Sequence, residues 1–266
     1  MGHHHSHAAS ESNASHSGSN RKIRLKVKRQ DGPGELPYWQ EFELPYVAGH
    51  NVLSLLMELR KNPVDITGKK CEPVVWESNC LEQVCGACSM VVNGKACQGC
   101  TALVDKLEQP ITLEPMNKFP VVRDLAVDRS RMFENLKKVK AWVEIDGSHT
   151  LGAAPKQSPA LADERYKLST CMSCGVCLQV CPQVSIENSF VGAAIISQVR
   201  LFNSHPTGSF KSSERLDALM GEGGIADCGN AQNCVQACPK TIPLTESIAE
   251  VGRQVTGRTF KKYLGL

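Results

Sequence analysis

Thirteen of the 266 residues are cysteine, and they are not scattered. The first group reads Cys80-Leu-Glu-Gln-Val-Cys85-Gly-Ala-Cys88, with Cys97 and Cys100 after it. C-x4-C-x2-C is the plant-type spacing of a [2Fe–2S] ligand loop. Three thiolates must close around one face of a small anionic cluster, and Gly86 and Gly99 permit the tight backbone approach this needs. Backbone N–H groups in such a loop can point at the sulfurs and help set the potential. The fourth ligand is Cys97 or Cys100. A zinc site is the competing chemistry, because Cys85-x2-Cys88 and Cys97-x2-Cys100 also match a paired knuckle. Zinc would leave Cys80 idle.

The second group, Cys171-Met-Ser-Cys174-Gly-Val-Cys177-Leu-Gln-Val-Cys181-Pro182, is C-x2-C-x2-C-x3-C-P, the bacterial ferredoxin run. The third, Cys228-Gly-Asn-Ala231-Gln-Asn-Cys234-Val-Gln-Ala-Cys238-Pro239, repeats it with Ala231 in place of one cysteine. In such a pair of runs the last cysteine of each reaches across to the other cluster. Cys171, Cys174, Cys177 and Cys238 are therefore expected to hold a [4Fe–4S] cluster, and Cys181, Cys228 and Cys234 an incomplete one. Ala231 offers no ligand atom, so the incomplete site is a [3Fe–4S] cluster or a [4Fe–4S] cluster with one labile iron. Fewer thiolates bring less negative charge and favour reduction. The exchange clamps both cubanes with both runs and draws them close together. Two cubanes as mere staples of a helical domain are a weaker explanation than a conduit for single electrons. Cys71 is left as a small core residue and Cys97 as a spectator or alternative ligand.

The bulk of the chain limits the alternatives. Lys plus Arg is 30 against 27 for Asp plus Glu, a net charge of +3, and aromatic residues make up 5%. Neither a basic field nor a stacking surface for nucleic acid is indicated. No apolar leader is visible at the start, so disulfides are not expected. No apolar run approaches the roughly 18 residues of a membrane span. Residues 1–20, rich in His, Ser, Asn and Ala, are expected to be a disordered tail whose histidines (His3, His4, His5, His7, His16) are inert.

The elements that must carry the cysteines follow from periodicity. Ile23, Leu25 and Val27 alternate as a strand, Asp31-Gly-Pro-Gly turns, and Tyr38–Leu44 returns. Asn51 caps a helix over 52–61, which Pro63 ends. Val74–Trp76 predicts another strand, and Met90–Val92 with Asn93-Gly94 a hairpin. From Val121 to Val143 apolar residues recur at near-helical steps, and Asp146–Pro159 is a linker or surface loop. Leu161–Thr170, Phe190–Asn203, Ser212–Met220 and Leu244–Tyr263 are expected to be helices. His149 and His205 are surface or helix-end residues, and Arg253, Arg258, Lys261 and Lys262 form a solvated helix face. The fold expected is α+β: residues 21–135 a [2Fe–2S] module and 136–266 an all-helical module, with the boundary between Met116 and Lys140.

This arrangement resembles the iron–sulfur subunit of succinate dehydrogenase and fumarate reductase, from about Lys22 to the end. Asn79–Cys88, Phe119-Pro-Val-Val-Arg-Asp-Leu125 and Asp227–Cys234 look like the Gram-positive members of that family. The resemblance implies a β-grasp ferredoxin-like domain followed by a helical ferredoxin-like domain. It implies Cys100 as the fourth [2Fe–2S] ligand, with eleven residues between it and Cys88. It further implies a flavoprotein partner that oxidises succinate at FAD, and electrons passing through [2Fe–2S], [4Fe–4S] and [3Fe–4S] clusters. A cytochrome b membrane anchor would hold the quinone, and this chain would contribute no catalytic acid or base. The location implied is peripheral, on the cytoplasmic face of the bacterial plasma membrane. Ubiquinone-type members carry His and Trp where this chain has Gly229 and Ile186, which points to menaquinone and a haem-containing anchor. Fumarate reduction, the reverse reaction, is the alternative.

Overall fold

The computed structural model describes residues 21–144 and 156–265. The expectations for the tail 1–20, for His149 and for most of the 146–159 loop lie outside the described residues.

The first half is built on a five-stranded sheet in the order β2-β1-β5-β3-β4. Strand β1 (Lys22–Arg29) pairs antiparallel with β2 (Tyr38–Pro45), in register from Lys22↔Pro45 to Arg29↔Tyr38. Its alternation is literal: Ile23, Leu25 and Val27 are fully buried. Helix α1 (Val52–Lys61) starts where Asn51 accepts a hydrogen bond from Ser54 N, and it turns Val52, Leu53, Leu55, Leu56 and Leu59 onto the sheet. The Asn93-Gly94 turn joins β3 (Ser89–Val92) to β4 (Lys95–Gln98). The central strand β5 (Ile111–Glu114) runs parallel to β1 and antiparallel to β3. A parallel first-to-last pair with a helix across the sheet is the β-grasp arrangement.

Three expectations fail here. Strand β5 was not foreseen, although Ile111 and Leu113 alternate with polar residues and are buried. Val74–Trp76 forms no strand. Val75 N donates to Asp124 Oδ2 and Val75 O accepts from Leu125 N, so a turn satisfies this backbone in place of a sheet. The 121–143 stretch is helical only from Ser130. Before it, β6 (Val121–Arg123) and β7 (Ala126–Val127) form a hairpin about Asp124, whose φ is +48°. A tertiary anchor at Asp124 overrides the apparent helical period, and Val122 faces solvent. Helix α2 is Ser130–Lys138.

All the described regular elements beyond α2 are helical. They are α3 (Pro159–Ser169), α4 (Val176–Gln179), α5 (Ala193–Ser204), α6 (Ser212–Ala218), α7 (Asn233–Ala237) and α8 (Leu244–Tyr263), with single 3-10 turns between them. Helix α5 starts three residues later than expected, because Gly192 at φ +82° bends the chain before it. Helices α5 and α8 pack along the middle of this half, burying Ile195, Ile196, Val199, Val251 and Val255. Two cores result. One draws on residues 23–113 and Leu125; the other also takes in Met116, Phe119, Val127, Met132 and Val139. The strap from 116 to 139 thus packs mainly in the second core, with Leu125 turned back into the first.

Candidate metal centres

None of the thirteen cysteines is paired in a disulfide, and the loops that carry them are bent so that backbone N–H groups turn inward. In the first loop Leu81, Gln83 and Gly86 have φ of 61°, 55° and 72°. Successive left-handed residues make a concave nest of amides that favours an anion. The Cys80 sulfur accepts from Glu82 N, Val84 N and Cys85 N at 3.3–3.4 Å, and the Cys85 sulfur from Ala87 N at 3.4 Å. These donors pull the Cys80 thiol down to about 7. Burial, with Cys100 alongside, pushes Cys88 up to about 12.

The structure brings Cys88 and Cys100 together. Gly99 N donates to Cys88 O at 3.0 Å, and the helix cap Asn51 uses its other end, Nδ2, to hold Cys100 O at 2.9 Å. Cys97 is placed differently. It stands opposite Met90 in the β3–β4 register and packs against the first core, where burial raises it to about 11. Cys71 is half-buried against the same core, as expected, with its sulfur 3.5 Å from Pro63 O.

The second and third runs form a pair. Ser173 and Gly175 in one, and Asn230 and Gln232 in the other, have positive φ ahead of the short helices α4 and α7. Asn233 Nδ2 on α7 donates to Val180 O at the end of α4, at 3.1 Å. A small pocket of about 20 Å³ is lined by Cys171, Cys174, Cys177 and Cys238. A second, also of about 20 Å³, is lined by Cys181, Cys228, Cys234 and Ala231, with Gly229 and Gln183 at its wall. Ala231 lines the second pocket where the run would otherwise carry a cysteine, so one ligand is missing from its wall.

Burial raises the thiols of Cys171 and Cys174, and Cys177 furthest. The neighbouring sulfurs add to this within each set, Cys171, Cys174 and Cys238 on Cys177, and Cys181 and Cys228 on Cys234. Cys177 also senses Cys234, so the sets adjoin. Buried thiols crowded together resist ionisation unless a cation compensates them, which is the situation of cluster ligands. Among the described residues no three His, Cys, Asp or Glu side chains are arranged to hold a single metal ion. The cysteines of the second and third runs surround pockets, as cluster ligands must. The donor set therefore fits iron–sulfur clusters.

Some functional geometry was invisible in the spacing. The Gly86 carbonyl accepts from Ser89 Oγ at 2.9 Å and from Arg129 Nη1 at 2.8 Å. Gly86 lies against the second run: a Cβ there would stand 2.7 Å from Cys174 Cβ and 2.9 Å from Met172 O. Gly175 lies equally close to Phe119, whose Cζ would be 2.9 Å from an added Cβ. His205, at the end of α5, accepts from Gly208 N through Nδ1 and is a helix-end residue as expected. Of the expected basic helix face, Arg258 and Lys262 are tied to Asp217 on α6.

Comparison with known proteins agrees with both halves. Residues 24–134 match the 2Fe-2S iron-sulfur cluster binding domain and residues 167–242 the 4Fe-4S dicluster domain. The chain is 59% identical, over 91% of its length and 96% of the relative's, to the succinate dehydrogenase iron-sulfur subunit of Bacillus subtilis. It is 31% identical, over 86% and 90%, to the fumarate reductase iron-sulfur subunit of Mycobacterium tuberculosis. It is 25% identical, over 88% and 98%, to that of Wolinella succinogenes. Among solved structures, a chain of the Mycobacterium smegmatis Sdh1 complex in the apo form matches with a TM-score of 0.75 at 22% identity, over 90% and 97% of the two chains.

Proposed function

The chain belongs to the family of succinate dehydrogenase iron–sulfur subunits, and from that premise we propose how its cysteines divide the work of carrying electrons. It is the electron-transfer subunit of a succinate:quinone oxidoreductase, and succinate chemistry lies in the partner flavoprotein. Cys80, Cys85, Cys88 and Cys100 would hold a [2Fe–2S] cluster. Cys171, Cys174, Cys177 and Cys238 would hold a [4Fe–4S] cluster, and Cys181, Cys228 and Cys234 a [3Fe–4S] cluster. The observation that carries this division is the pair of adjoining cavities, each lined by one set of thiols, with Ala231 in the wall of the second.

Iron–sulfur clusters supply one-electron couples, which is what a two-electron flavin reaction needs downstream. The chain's own residues supply the rest. Amides around Cys80 stabilise its thiolate, Asn51 fixes Cys100, and burial keeps water from the inner sulfurs. We further place the division of the chain at 21–135 and 136–266, with the 116–132 strap belonging by sequence to the first module and packing mainly in the second core.

No helix among the described residues is long and apolar enough to cross a membrane. The proposal places the chain peripherally on the cytoplasmic face of the plasma membrane, between the FAD flavoprotein and a haem-containing cytochrome b anchor. Menaquinone is the proposed acceptor, because Gly229 and Ile186 replace the His and Trp of ubiquinone-type relatives. Fumarate reduction is the second reading; the far higher identity to a succinate dehydrogenase subunit favours succinate oxidation.

Paramagnetic resonance of the purified complex tests the assignment. A rhombic [2Fe–2S] signal on reduction and a [3Fe–4S] signal in the oxidised state are expected. A four-iron signal from the Ala231 site, or a colourless preparation, would overturn it.

A further inference from the structure

Arg129 lies 43 positions beyond Gly86, at the entry to α2, yet its side chain returns to the first cysteine loop. Nη1 donates to Gly86 O at 2.8 Å and Nη2 to Glu77 Oε2 at 2.8 Å, and the side chain is only 15% exposed. Among the described residues it is the one cationic side chain hydrogen-bonded to the 80–88 loop; the other side-chain donor there is the neutral Ser89. Gly86 is also where the first loop meets the second run. At φ +72° it presses so closely on Cys174 and Met172 that no Cβ fits. The group that holds its carbonyl therefore controls the seam between the first two sets of ligands.

We propose that Arg129 is a positioning residue for electron transfer between the [2Fe–2S] and [4Fe–4S] sites, clamping the Gly86 carbonyl so that the Cys80–Cys88 loop stays seated on Cys174. The clamp rests on the cluster assignment given above. Its reach is mechanical, because α2 is packed in the second core through the buried Met132. A guanidinium anchored there, holding a carbonyl of the first loop, locks the two modules at their point of contact. Tunnelling falls off exponentially with separation, so a small opening of this seam slows the transfer of one electron across it. No bond is made or broken and no proton moves in that step. The same cation, hydrogen-bonded to the ligand loop, would favour the reduced, more negative state of a cluster held there. Glu77, the partner on its other side, is 47% exposed and offsets this charge in high-dielectric surroundings.

Arg129→Gln and Arg129→Lys in the intact complex separate the two effects. The readouts are iron content, the midpoint potential of the [2Fe–2S] signal, and its power saturation, which reports relaxation by the neighbouring cluster. Arg129→Gln is expected to retain iron, shift the potential downward and saturate at lower power. Arg129→Lys keeps the charge without the planar fork; it is expected to restore the potential but not the saturation behaviour. Unchanged potential and saturation in an Arg129→Gln complex with full iron would overturn the proposal. Should that variant fail to assemble, Arg129→Lys decides: wild-type saturation there overturns the clamp, and easier saturation supports it. An absent [2Fe–2S] signal in the unaltered complex would instead refute the cluster assignment.

Discussion

A single carboxylate, Asp124, organises more of the first half than any cysteine does. It accepts from Arg29 Nε at 2.7 Å, Gln30 N at 3.1 Å and Val75 N at 2.8 Å, and both charged side chains are essentially inaccessible to water. Arg29 spends its other donors on Gln40 Oε1 and the carbonyls of Glu72 and Pro73. Burial alone would lower the pKa of Arg29, but the bond and charge of Asp124 reverse that and raise it. Removing one partner of a buried pair leaves an uncompensated charge, a cost of about 3–5 kcal/mol. Asp124→Ala should therefore lower the thermal midpoint of the first half by about 12–20 °C. Asp124→Asn, which keeps an acceptor, should lower it less. Circular dichroism of the complex during a temperature ramp gives the comparison, and an unmoved midpoint would show that the pair contributes nothing net. Nothing local announces this pair, because 95 positions separate its members. The cysteines are the opposite case: each run is short, its spacing carries the geometry, and Ala231 is legible as a missing ligand. Spacing leaves Cys97 and Cys100 open as the fourth ligand; the features that favour the proposed Cys100, strand register and the Asn51 bond to Cys100 O, are tertiary.

Elements were readable where one period ran uninterrupted. Helix α8 spans Leu244–Tyr263 as its pattern predicts, and α1 starts at its Asn51 cap. Sequence failed where a tertiary contact set the backbone: at the Asp124 hairpin, at Val74–Trp76, and in the four- and five-residue helices α4 and α7, too short to show a period. The end of α8 is held by charge. Asp217 on α6 takes Arg258 Nε at 3.0 Å, Arg258 Nη2 at 3.2 Å and Lys262 Nζ at 3.0 Å. The hydrogen bonds from Arg258, with Lys262 assisting, hold the Asp217 carboxyl below its ordinary range. A depressed carboxylate contributes stability that is present above its unfolded value, about 3.9, and lost as pH falls through the lower folded one. Amide exchange at 255–263, corrected for intrinsic rates, should therefore be flat from about pH 8 to 5. Asp217→Asn should raise exchange across that whole window, because it removes the charge without acid. A wild-type end that loosens between pH 7 and 5 would assign the docking to some other group.

At the scale of the whole molecule the chain has direction. Its first loop exposes Leu81 and Val84 and touches the second run through Gly86. The second and third runs share the α4–α7 contact. The Ala231 cavity comes last in that order of contacts. Its surroundings decide what a quinone would meet. Gly229 contributes no side chain, and a Cβ there would stand 2.6 Å from Gln183 Nε2, so the amide of Gln183 lies over the position. Phe190 and Ile248 are apolar residues lining the cavity, and Ile186, 50% exposed, lies on the segment after Cys181. That segment is held by Arg131, which donates to Ser185 O, to Asn188 Oδ1 and to Phe190 O. The chain thus offers neutral amide and apolar groups at this end, with neither imidazole nor indole at 229 or 186 to hydrogen-bond a quinone carbonyl. Binding must then rest mainly on the anchor and on apolar contact, where a naphthoquinone ring buries more surface than a benzoquinone ring and gains accordingly. Solvent extraction of the complex, purified from its native membrane, should yield menaquinone. Ubiquinone as the sole extracted quinone would mean that the anchor alone sets quinone choice and that Gly229 and Ile186 carry no information about it.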